Sequence, residues 1–186
     1  EFNQELKKEN NNERYKYRNH LTKYFDKNLL ENYSEDEFFI GNIQQYFGTK
    51  PYVRVIDVWL DKPVKKLFQK YSQNYHRDSD DYFLLKTFLC LNDVNDENGP
   101  FQFIEKSHLN PWNNISNSHN DTEVENILYP NSKKISLTAK KGDLYSADTN
   151  GFHKGKPLSK NYRCLLTVHY VSKFPKNKFL KNKFIY

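Results

Sequence analysis

The spacing of hydrophobic residues changes at Pro51, and this change limits the fold more than any other feature of the chain. Before Pro51, hydrophobic side chains recur every three or four residues, as on one face of an α-helix. After it, short segments rich in Val, Ile, Leu and aromatic residues are separated by Asn, Asp, Gly and Pro. Two helices followed by about eight short strands predict a double-sheet jelly roll.

Two helices are expected before the strands. The first is predicted over Glu13–Leu30 and has a hydrophobic face. That face consists of Tyr17, Leu21, Tyr24, Phe25 and Leu29. The second helix follows Ser34, which has the spacing of a capping box with Glu37, and it ends at Gly48.

The strand-like segments follow one another with short, turn-forming links. Asn98-Gly99 and Lys141-Gly142-Asp143 are the clearest turns. Leu109–Ser132 is polar, and it is either a lid over a site or a surface loop. The predicted strands are Tyr52–Leu60, Tyr71–Arg77, Tyr82–Asp93, Phe101–Glu105, Lys134–Leu137, Leu144–Ala147, Asn150–Lys154 and Tyr162–Val171.

The length of 186 residues suits one domain. We expect a flexible segment at 1–12 and a single domain over 13–186, with helices at 13–48, a jelly-roll core at 51–172 and a basic tail at 173–186. No methionine occurs, even at position 1, which indicates a processed or trimmed sequence.

The net charge of +6 comes largely from lysines near the C-terminus. No nucleic-acid-binding motif accompanies them, so we expect a solvated tail and no nucleic-acid partner. No run of about 18 apolar residues and no signal-peptide pattern occurs, so we expect no membrane span and a cytoplasmic location. Cys90 and Cys164 lie in apolar strands, where reduced, buried thiols are expected.

His76 and Asp78 lie two residues apart in a predicted strand. Alternate side chains of a strand share a face, so this imidazole and carboxylate form half of a metal site. Two histidines and one carboxylate hold Fe(II) in many oxygenases. Among the other histidines, His153 is favoured because Arg163 follows ten residues later. An arginine near an iron site suits a chelating keto-diacid, since a guanidinium binds a carboxylate through two hydrogen bonds.

Several stretches together resemble the phytanoyl-CoA dioxygenase family of Fe(II)/2-oxoglutarate oxygenases, in that family's order. They cover roughly residues 71–171, and their order is more specific than any one of them. They are Tyr75-His76-Arg77-Asp78, the run from Leu85 to Val94, Asn98-Gly99-Pro100-Phe101, Ser107-His108, Lys141-Gly142-Asp143, His153-Lys154-Gly155 and Arg163.

The resemblance implies a mainly β fold, a double-stranded β-helix (cupin-like jelly roll) with two N-terminal helices. It implies that Fe(II) is bound by His76, Asp78 and His153, which are then the catalytic residues. It also implies that Arg163 binds the distal carboxylate of the co-substrate 2-oxoglutarate. Phe88 either lines the co-substrate pocket or is a core residue.

Lys86 and Gly155 allow two readings each, and His108 has one. Lys86 is a charge in an apolar strand, so it either contacts co-substrate or substrate, or lies on an exposed face. Gly155 either lets the loop approach closely or forms a turn. His108 matches the family's Gly-Ser-His, although Lys106 replaces the glycine, and we interpret His108 as structural.

The expected reaction consumes O2 and 2-oxoglutarate, releases succinate and CO2, and hydroxylates a small-molecule or carrier-bound substrate. Relatives that halogenate lack the carboxylate, so Asp78 favours hydroxylation. Two alternatives stay open, a non-catalytic cupin-type binding protein that retains a metal site and a protein with structural Zn or Ni. The substrate and the oligomeric state are not indicated by the sequence.

Overall fold

The computed structural model describes residues 17–64, 71–78, 80–110 and 119–172. It confirms a mainly β chain in which two antiparallel sheets form a jelly roll. The segment expected to be flexible, 1–12, and the expected basic tail, 173–186, lie outside the described residues. No helix in the described ranges is long and apolar enough to cross a membrane.

The first predicted helix, Glu13–Leu30, is wrong over most of its length. Its first residues, 13–16, are outside the described ranges. A short strand occupies Arg18–His20, a 3-10 turn follows at Thr22–Tyr24, and helix α1 spans only Lys27–Ser34. Pairing with the neighbouring strand and a buried ion pair outweigh the helical spacing of the apolar side chains.

The second helix, α2, spans Glu37–Phe47 and ends at Gly48 as predicted. Gly48 has φ 69°, a left-handed conformation that glycine adopts without steric cost. The capping box with Ser34 is wrong, because Ser34 is the last residue of α1. Asp36 caps α2 instead, and its Oδ1 accepts a hydrogen bond from the Phe38 N–H at 3.0 Å.

The strands of the described residues form a five-stranded and a three-stranded sheet, both antiparallel. They are β1 (Arg18–His20), β2 (Tyr52–Asp61), β3 (Leu84–Cys90), β4 (Phe101–Ile104), β5 (Lys134–Leu137), β6 (Leu144–Ala147), β7 (His153–Gly155) and β8 (Arg163–Val171). The larger sheet has the order β1-β2-β8-β3-β6, and the smaller has the order β5-β4-β7.

One predicted strand, Tyr71–Arg77, is absent. A 3-10 turn occupies Tyr71–Gln73, and the chain then runs extended but pairs only through isolated bridges. One of these bridges joins His76 to His153. The other predicted strands are confirmed, although several are shorter than expected.

The two faces of the larger sheet bury different clusters. The face under α1 and α2 packs aliphatic side chains such as Ile56 and Val168. The inner face, between the sheets, packs Trp59 of β2, Phe88 of β3 and Leu165 of β8. The inner face therefore lines the space between the two sheets, where jelly-roll proteins bind ligands.

Register places Arg163 on the same inner face. Arg163 lies opposite Asp61, and Leu165 lies opposite Trp59. Residues two apart on a strand share a face, so these four side chains all project between the sheets.

Candidate metal centre

The backbone brings the three predicted metal ligands together. The N–H of His76 donates to the carbonyl of His153, and the N–H of His153 donates to the carbonyl of His76, each at 3.0 Å. The N–H of Asp78 donates to the carbonyl of Thr149 at 2.9 Å. Ligand atoms of His76, Asp78 and His153 all lie within 4.8 Å of one another, which is close enough to hold one metal ion.

Each imidazole is held by a carbonyl of its own loop. Nδ1 of His76 lies 2.9 Å from the carbonyl of Asn74, and Nδ1 of His153 lies 2.9 Å from the carbonyl of Gly151. A carbonyl can only accept, so each Nδ1 carries the proton and each Nε2 keeps its lone pair. Metal-binding histidines are commonly oriented by such a bond from the second ring nitrogen.

Burial and charge keep the three groups in the forms that bind metals. Burial lowers the pKa of His153 to about 3 and lowers that of His76, so both imidazoles are neutral near pH 7. Burial alone would raise the pKa of Asp78, but Lys86 and the imidazoles hold it well below its usual range. Neutral imidazoles and an ionised carboxylate need lose no proton on coordination.

Lys86 is buried beside this group and pairs with Asp78. Its Nζ lies 2.6 Å from Oδ2 of Asp78, and the residue is 9% exposed. The alternative that Lys86 lies on an exposed face is therefore wrong. Its side chain lines the same pocket as His76 and His153, where a bound anion would meet it.

Arg163 lies on another wall of this pocket and is fixed by two oxygen acceptors. Its Nη1 donates to the carbonyl of Gly99, and its Nη2 pairs with Oδ2 of Asp61 at 2.5 Å. Gly155 leaves the space that the guanidinium occupies, since a Cβ there would lie 2.5 Å from Nη2 of Arg163. The close-approach reading of Gly155 is thus the one that the geometry supports.

Asp61 also binds a second arginine, Arg18, which the sequence patterns do not predict as part of the site. Arg18 of β1 binds Asp61 in a fork, with Nε 2.7 Å from Oδ1 and Nη2 3.0 Å from Oδ2. Burial would raise the pKa of Asp61, but Arg18 and Arg163 lower it. A carboxylate in an apolar strand needs a cation nearby, so Asp61 was the sequence signal for a buried arginine pair.

Phe88 fits both of its predicted readings. It belongs to the inner core and also lines the pocket. Its ring stacks on Tyr145, with centroids 5.0 Å apart and planes at 14°. Tyr145 and Phe101 complete this aromatic wall, which limits the access of water to the polar groups.

The motif Ser107-His108 supports the site from outside it. Ser107 Oγ accepts from the N–H of Phe152 at 2.8 Å and donates to the carbonyl of Ile104 at 2.7 Å. This bond fixes the chain next to His153. His108 packs against Phe103 and is not in the group of possible metal ligands, as the structural interpretation predicts.

The described part of the polar insertion packs against the segment before His76 and against β7. The N–H of His119 donates to the carbonyl of Tyr75 at 2.8 Å, and Asp121 pairs with Lys154 at 2.5 Å. A single-turn π-helix follows at Glu123–Leu128. Among the residues that line the pocket, none comes from 119–132, and the rest of the predicted lid, 111–118, lies outside the described residues.

Solved structures with the same fold include several that contain a metal. The "non-heme alpha ketoglutarate dependent epimerase SnoN from nogalamycin biosynthesis" has 16% identity and TM-score 0.64, with 82% of this chain and 61% of SnoN covered. EctD from S. alaskensis with bound Fe has 16% identity and TM-score 0.58, over 83% of this chain and 56% of EctD. HygX from Streptomyces hygroscopicus, with nickel, 2-oxoglutarate and hygromycin B bound, has 11% identity and TM-score 0.55, over 84% and 73%.

These likenesses show the fold, and this chain spans about three fifths of the length of SnoN. Among curated protein sequences, none matches. The family model for phytanoyl-CoA dioxygenase matches residues 4–164, which include Arg163 and the three residues whose ligand atoms could hold a metal ion. With a match over most of its length, the jelly-roll core and the triad in the expected place, this chain belongs to the phytanoyl-CoA dioxygenase family.

Proposed function

We propose that this protein is a Fe(II)- and 2-oxoglutarate-dependent dioxygenase that hydroxylates a small-molecule or carrier-bound substrate. The observation that carries the proposal is the donor set of His76, Asp78 and His153, whose ligand atoms lie within 4.8 Å of one another. Two imidazole nitrogens and one carboxylate oxygen leave other positions of a six-coordinate Fe(II) open. The donors therefore fit Fe(II), and they would hold it from one side.

The pocket beside the triad fits 2-oxoglutarate. Its keto-acid end would chelate the metal, and its distal carboxylate would reach the guanidinium of Arg163, which lines the same pocket. Lys86 offers a second cation between the metal ligands and the aromatic wall. HygX contains 2-oxoglutarate in a structure of this fold, which supports this placement.

Bound Fe(II) would supply the redox chemistry, in which O2 and 2-oxoglutarate yield succinate, CO2 and one hydroxyl group on the substrate. The side chains of this protein bind, orient and enclose the reactants. Gly151 and Asn74 carbonyls orient the imidazoles. Phe88, Phe101 and Tyr145 exclude water beside them. Hydroxylation is proposed because Asp78 fills the position that a halide would need.

Anaerobic addition of Fe(II) and 2-oxoglutarate is expected to produce a weak visible charge-transfer band. Asp78→Ala and His153→Ala should abolish or sharply weaken the band, because each removes one of the three metal ligands. His108→Ala is the matched control, since this histidine lies outside the ligand group, and it should leave the band in place. A band that survives the loss of Asp78 would contradict the assigned ligands.

Turnover separates the oxygenase from the alternatives. Protein prepared without O2 is analysed for its metal, and succinate released from 2-oxoglutarate is then measured across a panel of candidate substrates. Substrate-stimulated succinate release is expected from the dioxygenase. A metal-binding protein without catalysis would bind Fe(II), Zn or Ni and release no succinate under any condition.

A further inference from the structure

Among the residues that the structure describes, two buried N–H groups on the wall of the pocket have no hydrogen-bond acceptor. They are Nε1 of Trp59 and Nε of Arg163. Both side chains line the pocket, and they are 7% and 3% exposed respectively. Buried donors are almost always hydrogen-bonded in folded proteins. Two such donors on one pocket wall indicate that an acceptor from a ligand belongs between them.

The strand register brings these two groups together. Trp59 lies opposite Leu165, and Asp61 lies opposite Arg163, two residues further along. Trp59 and Arg163 are therefore diagonal neighbours on one face, a distance of about 7–8 Å that long side chains bridge. A carboxylate between them would reach both.

Arg163 has only part of its guanidinium available. Nη1 already donates to the carbonyl of Gly99, and Nη2 pairs with Asp61, whereas Nε has no acceptor. A carboxylate has two oxygens and needs a donor for each. Trp59 offers a donor from a second strand, so the two carboxylate oxygens can meet N–H groups of two different side chains.

Arg18 fixes the indole in place and sets the charge of the subsite. Its guanidinium carbon lies 4.1 Å from the centre of the Trp59 ring, and its nitrogens are held by Asp61. Arg18 and Arg163 carry two positive charges against the single negative charge of Asp61. One positive charge is left over, which matches one carboxylate.

We propose that Trp59 is a co-substrate-binding residue whose indole N–H donates to the distal carboxylate of 2-oxoglutarate, beside Nε of Arg163, with Arg18 as the positioning residue for the ring. The inference rests on the proposed function, because it concerns the same pocket. It adds a hydrogen-bond donor from β2 to the subsite in which the family resemblance places Arg163.

The test compares two keto acids on two proteins by calorimetry. Mn(II) replaces Fe(II) so that no turnover occurs, and the ligands are 2-oxoglutarate and pyruvate, which lacks the distal carboxylate. Trp59→Phe keeps most of the ring and removes the N–H. The substitution should weaken the affinity for 2-oxoglutarate about 10-fold, because one hydrogen bond to a charged group is lost. The affinity for pyruvate should not change.

Each of the other outcomes contradicts either the role of Trp59 or the proposed function. Equal 2-oxoglutarate affinity in Trp59→Phe and the unaltered protein overturns the role of Trp59. Equal weakening of both keto acids also overturns it, because the ring would then act only through packing. Failure of the unaltered protein to bind 2-oxoglutarate overturns the proposed function itself.

The two tryptophans of the sequence, Trp59 and Trp112, allow a spectroscopic check. In Trp112→Phe, Trp59 is the only tryptophan, so the emission reports on the indole of Trp59 alone. Its emission should shift on addition of 2-oxoglutarate with Mn(II) and respond far less to pyruvate. If calorimetry detects binding of 2-oxoglutarate but the emission of Trp59 does not change, the distal carboxylate does not lie beside Trp59.

Discussion

At Gly155 the absence of one methyl group decides where a guanidinium can lie. A Cβ at this position would fall 2.5 Å from Nη2 and 3.1 Å from Nη1 of Arg163. Arg163 cannot easily move aside, because Asp61 and the carbonyl of Gly99 hold it. Room for the arginine therefore depends on a residue two positions after His153.

Gly155→Ala should displace the guanidinium and weaken 2-oxoglutarate binding on the order of 10-fold, since a hydrogen bond to a charged group is lost. Calorimetry with Mn(II) measures the effect. Gly41→Ala is the control, because Gly41 lies in α2 with no atom within 4 Å of the added Cβ. It should stabilise the protein by about 0.5–1 kcal/mol and leave binding unchanged. Unchanged binding in Gly155→Ala would show that the guanidinium adapts.

At the scale of elements, β1 is the strand near the site that the sequence patterns do not predict. Its three residues pair with the end of β2 and deliver Arg18 to Asp61. Sequence patterns found β2, β3 and β8, because their apolar residues are buried on both faces and contiguous. They missed β1, because three residues carry too little periodicity and their pairing partners lie about forty positions away.

Asp61→Asn tests how much the ion pairs that link β1, β2 and β8 stabilise the fold. The variant leaves the guanidinia of Arg18 and Arg163 buried without their counter-ion, so we expect a loss of about 3 kcal/mol in the free energy of unfolding. Urea unfolding measures it. Asp93→Asn removes a carboxylate of a solvent-exposed pair with Lys140, so its effect on the free energy of unfolding should be far smaller. Equal losses in the two variants would show that the buried pair stabilises little.

At the scale of the whole molecule, three histidines with lowered pKa values make stability depend on pH. Burial lowers the pKa of His76, of His153 and of His169, which lies opposite Lys86 on the neighbouring strand. These groups stay neutral in the folded protein but take up protons in the unfolded chain below about pH 6.5. The unfolded state then binds more protons, so stability falls as pH decreases from about 6.5.

His169→Gln should make this pH dependence shallower. Each such imidazole contributes up to about 1.4 kcal/mol per pH unit well below its unfolded-state pKa, so the metal-free variant should lose about 1 kcal/mol less stability between about pH 6.5 and 5.5. Urea unfolding at both pH values gives the slope. His20→Gln is the control, since this histidine lies on β1 outside the pocket and its side chain is 36% exposed. Identical slopes in all three proteins would contradict the assignment of His169.

How much of the molecule the sequence predicts depends on the range of the interactions involved. The triad and the jelly roll follow from local motifs in a fixed order, so the sequence predicts both. The pairing of His76 with His153 through single bridges, rather than through a regular strand at 71–77, depends on contacts between distant parts of the chain. So do the positions of Arg18 and Trp59, because cross-strand register cannot be read from spacing along one strand.

The order of the larger sheet has a consequence for synthesis. Its central strand, β8, is the last described strand of the chain, and it bridges β2 and β3. Those two strands cannot join until the ribosome has released residues 163–171. Until then their unpaired edges stay open to other chains, so protection by chaperones during translation should matter more for this protein than for one built from sequential hairpins.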